Sequence, residues 1–214
     1  MGCRLVKAAT TSPVPSLPDV SLTLAHSLST GLPALDRLLP GGGWPLGDVT
    51  ELVAPKALWA EALDLLLPAL SALSWESQWL VWVAPTAHLD PGHLAAQGFD
   101  VSRVLVLHPH PVLTAVAQAK GILGAGTAAA VVVHDDGRAP GEEWRTLRRA
   151  AQCRQVPVFA LRPPRLETPG PATAALGLSL ERGAAHLAIQ VLHSPCSPGS
   201  TVVLAPSAPL ALGA

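Results

Sequence analysis

From residue 48 onward the chain alternates short apolar runs with longer amphipathic ones, and this alternation narrows the choice of fold more than any other feature. "DVTELV" (48–53), "QWLVWVA" (78–84), "RVLVLH" (103–108), "AAAVVVH" (128–134) and "VPVFALR" (156–162) read as strands. Between them, 58–73, a short piece of "DPGHLAAQGF" ending near Gly98, 112–126 and 141–154 read as helices, with Gly126 at the end of the third. Strands that are apolar almost throughout are buried on both faces, which requires a mainly parallel sheet with helices on either side. The expected fold class is therefore α/β, doubly wound, with a twisted, mainly parallel sheet. Pro68 interrupts the 58–73 helix, where it removes a hydrogen bond at about 3 kcal/mol. A kink or a restart is expected there.

The flanks have a different character. Residues 1–27 are rich in Ser, Thr and Pro and read as a flexible N-terminal segment, with "SLTLAHSLSTG" (21–31) holding a short strand. "STGLPALDRLLP" reads as a small helix capped by Ser29 or Thr30, with Leu35, Leu38 and Leu39 on one face. "GGGWPLGD" (41–48) is a turn. Beyond a Pro-rich loop at 163–175, "LGLSLERGAAHLAIQVL" reads as a C-terminal β-hairpin around Arg182 and Gly183. Residues 194–214 read as a loosely ordered tail, which leaves 28–193 as one domain.

Composition excludes several function classes. The net charge of −1 gives no global attraction to nucleic acid or to an anionic membrane. The three cysteines (Cys3, Cys153 and Cys196) are far apart and odd in number, so neither a zinc site nor a disulfide framework is indicated; a reducing cytoplasm is expected. The N-terminus has no apolar core of a signal peptide, and its "MGCRLV" has Val6 where a myristoylation site requires Ser or Thr. The greasiest stretch, 57–74, carries Glu61, Asp64 and Pro68, which argues against a membrane span. Six of the eight aromatic residues are tryptophan. Trp79 and Trp82 are expected on opposite strand faces, each under a different helix layer, and Trp44 and Trp59 beside the turn discussed next.

That turn, "APKALWAE" (54–61), joins a strand to a helix as a phosphate-binding loop does. Such a loop needs G-x-x-x-x-G-K-[ST]: glycines to close backbone N–H groups on phosphate, lysine for charge, a hydroxyl for Mg²⁺. Ala54 and Trp59 stand where the glycines belong, Ala60 where the lysine belongs and Glu61 where the hydroxyl belongs. Lys56 is present at an unsuitable position. The expectation is a degenerate nucleotide site, plugged by Trp59 or offering it as a partner-binding anchor, with no enzymatic activity and no cofactor.

"LSTGLPALDRLLPGGGWPLGDVTELVAP" resembles the segment that opens the RecA ATPase core, and "WVAPTAHLDPGHLAAQGFDVSRVLVLHP" and "GAGTAAAVVVHDD" resemble its later segments. The resemblance covers about 28–192. It puts Thr86 at the catalytic glutamate, His134 at the Walker B aspartate with Asp135 one residue late, and Arg162 at a strand end that lacks the glutamine sensor. "LPGGGWPLG", "TELV", "LLLPALSAL", "WVAP", "GFDVSRVLVL" and "ALRPP" are closer still to the ImuA family of shortened RecA-like proteins. The related SulA division inhibitors share "TELV", "LLLP" and "RP" but generally lack the "STG…LD…PGGGWP" opening. The ImuA resemblance implies an accessory factor in SOS-associated translesion DNA synthesis after DNA damage. Its implied partners are RecA, an ImuB-type polymerase-like protein and the error-prone polymerase, with self-association through RecA-like surfaces. A SulA-like inhibitor of FtsZ-dependent division and a surviving ATPase are the alternatives.

Residues 138–182 hold eight of the fourteen basic side chains against four acids. Arg145, Arg148 and Arg149 share a helix face, and with Arg162 and Arg165 they form a candidate patch for single-stranded DNA or an acidic partner. A solvated outer face is the other reading of the same residues. His88, His93, His108, His110 and His134 have no recognised metal spacing, and Ser29, Asp36, Asp135 and Asp136 form no nucleophile set.

Overall fold

The computed structural model describes residues 27–85, 89–108, 114–135, 139–164, 174–183, 186–194 and 198–204. Their centre is an eight-stranded sheet. In chain order its strands are β3 (Val49–Val53), β4 (Trp79–Val83), β5 (Val104–Leu107), β6 (Ala128–His134), β7 (Val158–Arg162), β8 (Leu176–Arg182), β9 (Leu187–His193) and β10 (Thr201–Leu204). The spatial order is β10-β9-β8-β3-β7-β6-β4-β5. From β8 to β5 all neighbours are parallel, while β8, β9 and β10 run antiparallel. A separate two-stranded ribbon pairs β1 (Ser27–Leu28) with β2 (Trp44–Pro45).

The α/β class follows from burial on both faces. Every residue of β6 is buried, as the run "AAAVVVH" requires. On one face lie α2 (Trp59–Asp64) and α3 (Leu67–Ser74), whose leucines pack with Leu80, Trp82, Val132 and Phe159. On the other lie α5 (Ala115–Ala125) and α6 (Gly141–Arg154), whose Leu123, Trp144 and Leu147 pack with Val81, Val131 and Val158. The remaining helices are short: α1 (Pro33–Asp36) and α4 (Pro91–Ala96). α2 and α3, read in the sequence as one helix, meet at a bend of 55° with Pro68 in the first turn of α3. There its missing N–H has no helical partner to lose.

Local chemistry sets the helix ends. Thr114 Oγ1 accepts the Ala117 N–H to cap α5, and Gly126 closes it in the left-handed region at φ 71°. α6 is tied to the foot of β3: Arg148 donates through two nitrogens to the Asp48 carboxylate, and Gln152 Nε2 donates to the same group.

Four expectations change on the structure. Ser29 and Thr30 do not cap α1, whose N-cap is Leu32. Instead the Ser29 hydroxyl and Thr30 N–H both donate to Asp36, at 2.7 and 2.9 Å. Burial alone would raise the Asp36 carboxyl, but the bonds from Thr30 and Ser29 hold it below its ordinary value. "GGGWPLGD" contains β2 as well as a turn, because Gly43 lets the two ribbon strands approach: a Cβ there would sit 2.2 Å from the Leu28 carbonyl oxygen. Trp79 does not pack beneath a helix. It begins β4 and is 38% exposed, whereas Trp82 is fully buried. The tail contributes β10 to the sheet, so ordered structure continues past residue 193.

Candidate functional site

In parallel α/β sheets ligands bind beyond the C-terminal strand ends. Here those ends are β3, β6 and β7, with β7 between the other two. The turn after β3 is a single 3₁₀ turn, Lys56–Leu58, which runs straight into α2. No wide loop forms there, because no glycine allows one.

Trp59 fills the ground inside this turn. Its side chain is 3% exposed, and its Nε1–H donates to the carbonyl of Ala54 at 3.0 Å. Ala54 is itself buried, and its N–H donates to the carbonyl of Arg162. The Trp59 ring meets His134 edge to face, with centroids 5.2 Å apart, so an indole spans from the turn to the end of β6. Burial pushes the His134 imidazole down to about 4, and it is neutral at pH 7. Lys56 lies over the outer side of the same indole, with Nζ 5.8 Å from the ring centre. Ala60 is partly buried in the first turn of α2. Glu61, beside it, pairs with Arg182 at the end of β8 and so links α2 to the hairpin.

On the other face of the sheet, toward α6, is a buried charge cluster. Arg162 Nη1 donates to Glu51 Oε1, and its Nε to Asp135 Oδ2 at 3.2 Å. Its guanidinium also lies over the Trp144 ring, 4.9 Å from the centroid. All three ionic residues are at most 8% exposed. The cluster joins β3, β7 and the end of β6 by opposite charge, where burial of any one member alone would be costly.

The structure therefore divides the residues singled out in the sequence. Ala54, Lys56 and Trp59 meet in one turn, Ala60 follows in α2, and Glu61 reaches away to Arg182. The arginines do not form one patch. Arg162 is internal and Arg148 is committed to Asp48. Arg145 is exposed but paired with Glu142, whose carboxyl it holds below its ordinary value by hydrogen bonding and charge. Arg149 is exposed, and Arg165 lies outside the described residues, as do Thr86, His88, His110, Asp136 and Arg138. Trp44 does not flank the site. It is fully buried edge-on to Phe159, which aligns with Thr50 and Val132 below the strand ends. Sequence reading missed Glu51, Trp144 and Asp48. Glu51 had a signal, since an acid inside an otherwise apolar buried strand demands a cation.

The profile of the family described as "Cell division inhibitor SulA" matches residues 47–156, just over half of the chain. The chain is 32% identical over 100 residues to the cell division inhibitor SulA of Pectobacterium atrosepticum, covering 46% of this chain and 59% of that protein. It is 33% identical over 93 residues to the RecA protein of Synechococcus sp. strain CC9902, covering 44% of this chain and 24% of that protein. It thus spans less than two thirds of the SulA relative and about a quarter of the RecA relative. With a SulA profile across the strand–turn–helix frame and a RecA likeness beside it, the chain belongs to the SulA family and is related to RecA.

Proposed function

We propose that this protein is a non-catalytic accessory factor of SOS-associated translesion DNA synthesis, of the ImuA type, which acts by binding other proteins. In this reading it connects RecA to an ImuB-type polymerase-like protein and to the error-prone polymerase, in the cytoplasm and without nucleotide turnover. The observation that carries the reading is the Trp59 indole, which is hydrogen-bonded and buried where a phosphate-binding loop would hold its anion. Without that space, a RecA-related frame has its surfaces left to work with.

A second observation favours the adaptor over the division inhibitor. The SulA profile begins at residue 47, but the preceding 27–46 are part of the core: Leu35 and Trp44 are fully buried. This integral opening is the part that resembles RecA and ImuA proteins and that SulA proteins generally lack. Single-stranded DNA is the weaker partner, since Arg162 and Arg148 are withdrawn from the basic face.

The test is a pull-down of RecA and of an ImuB-type protein by the purified chain, with RecA altered on its polymerisation face as control. Retention of wild-type RecA and loss of the altered form is the expected result. Failure to retain either RecA or the ImuB-type protein, together with inhibition of FtsZ polymerisation, would replace this reading with the SulA-type one, which the family match supports.

A further inference from the structure

Trp75 is the most exposed large apolar side chain among the described residues, at 71%. It is also held in place. It is the C-cap residue of α3, and its Nε1–H donates to the carbonyl of Gly98 at 2.9 Å. The same carbonyl accepts the Ser71 hydroxyl at 3.0 Å, so the loop that carries Gly98 is tied to α3 at two points. An indole fixed at its N–H and exposed over most of its surface has already lost the side-chain freedom that binding would cost. Tryptophan is among the residue types that most often anchor protein contacts.

The surroundings select the charge of what binds. α3 has no basic residue in its last turn, so no side chain of its own offsets the negative end of its dipole. Glu76 follows Trp75 and is exposed. Asp100 is drawn to the same helix end, its N–H donating to Ser74 Oγ at 3.0 Å. The cation that reaches this end, Arg103, is engaged by the Ser77 carbonyl at 3.0 Å. Two carboxylates and a helix C-terminus around an exposed indole attract a cation and repel phosphate. A nucleic-acid strand stacking its bases on Trp75 would bring its backbone into that field, so the chemistry favours a basic protein segment. Arginine suits the place better than lysine: its flat guanidinium stacks on an aromatic ring and keeps N–H donors for a carboxylate.

We propose that Trp75 and Glu76 form a docking point for an arginine of a basic partner segment, with the guanidinium over the indole and paired to Glu76. This docking point stands apart from the adaptor reading, because its probe is a peptide and not RecA or an ImuB-type protein.

The test is NMR titration of the full chain with a blocked five-residue peptide carrying two arginines between glycines. Its citrulline counterpart, of the same shape without the charge, and a thymidine pentanucleotide are titrated in parallel. The expected result is a saturable shift of the Trp75 indole N–H and of the amides around residues 75 and 98 with the arginine peptide alone. Trp75→Leu and Glu76→Gln should each raise its Kd about two- to fivefold, the range for a cation at an exposed ring, without moving the unfolding midpoint. Equal binding of the citrulline peptide overturns the proposal, as do shifts confined to other parts of the molecule or a Kd unchanged in both variants. A Trp75 shift with the pentanucleotide and none with the arginine peptide would replace it with base stacking. If the variants unfold, the wild-type shifts and the citrulline comparison still decide.

Discussion

Trp59 holds the turn through one hydrogen bond and two ring contacts: Lys56 over the indole and His134 perpendicular to it. Trp59→Ala should cost about 3–5 kcal/mol, read as a lower urea midpoint, because the cavity cannot collapse against the strand ends. It should not create ATP affinity, since the turn still lacks the glycines and lysine. Arg162→Met takes the cation from buried Glu51 and one charged partner from Asp135, and should likewise cost about 3–5 kcal/mol. His134 adds a pH dependence whose sign follows from its depressed folded value. The unfolded imidazole, at 6.5, binds protons that the folded one refuses until about 4, so stability falls as pH drops through that window and levels off below it. The size is about 3 kcal/mol at 1.36 kcal/mol per unit. His134→Phe should flatten the difference in unfolding free energy between pH 6.5 and pH 4, measured against wild type. Of these residues, Trp59 was legible in the sequence because it stands at a motif position. Arg162 was misread as surface, because a strand-end arginine looks alike whether its partners lie in solvent or, as here, 111 and 27 residues away along the chain.

At the scale of elements, the bent pair α2 and α3 shows a sequence signal with a clear physical reading: proline inside an apolar run marks a restart, and Pro68 falls in the first turn of α3. The caps are equally local. Thr114→Ala should destabilise by about 1 kcal/mol through the lost α5 cap, seen in thermal unfolding. Gly43→Ala should cost about 1–3 kcal/mol, because a Cβ would strike the Leu28 carbonyl and push β1 from β2. Hydrogen exchange should then locate the loss of protection in residues 27–46. Of the ribbon, β1 falls within the short strand expected in 21–31, but neither β2 nor β10 was legible. Two-residue strands and edge strands in Ser- and Pro-rich sequence gain their order from the neighbour they pair with, so their own composition gives little sign of it.

For the whole molecule, the filled turn leads to one clean measurement. A ligand at 100 times its Kd stabilises a protein by about 2.7 kcal/mol. Millimolar ATP with Mg²⁺ should therefore leave the melting temperature where it was, and an upward shift would revive the ATPase reading. No single helix among the described residues is long and apolar enough to cross a membrane. The function proposed here rests on surfaces.

The alternation of strands and helices, the doubly covered sheet, the break at Pro68 and the missing phosphate-binding residues were all decided by the sequence alone, because each depends on side chains within a few turns of one another. What occupies the space at the strand ends was not. The partners of Arg162, the fate of Arg148 and the exposure of Trp79 depend on which distant segments the sheet order brings together. An ion pair or a buried face is a property of two segments, and only the tertiary fold names the second one.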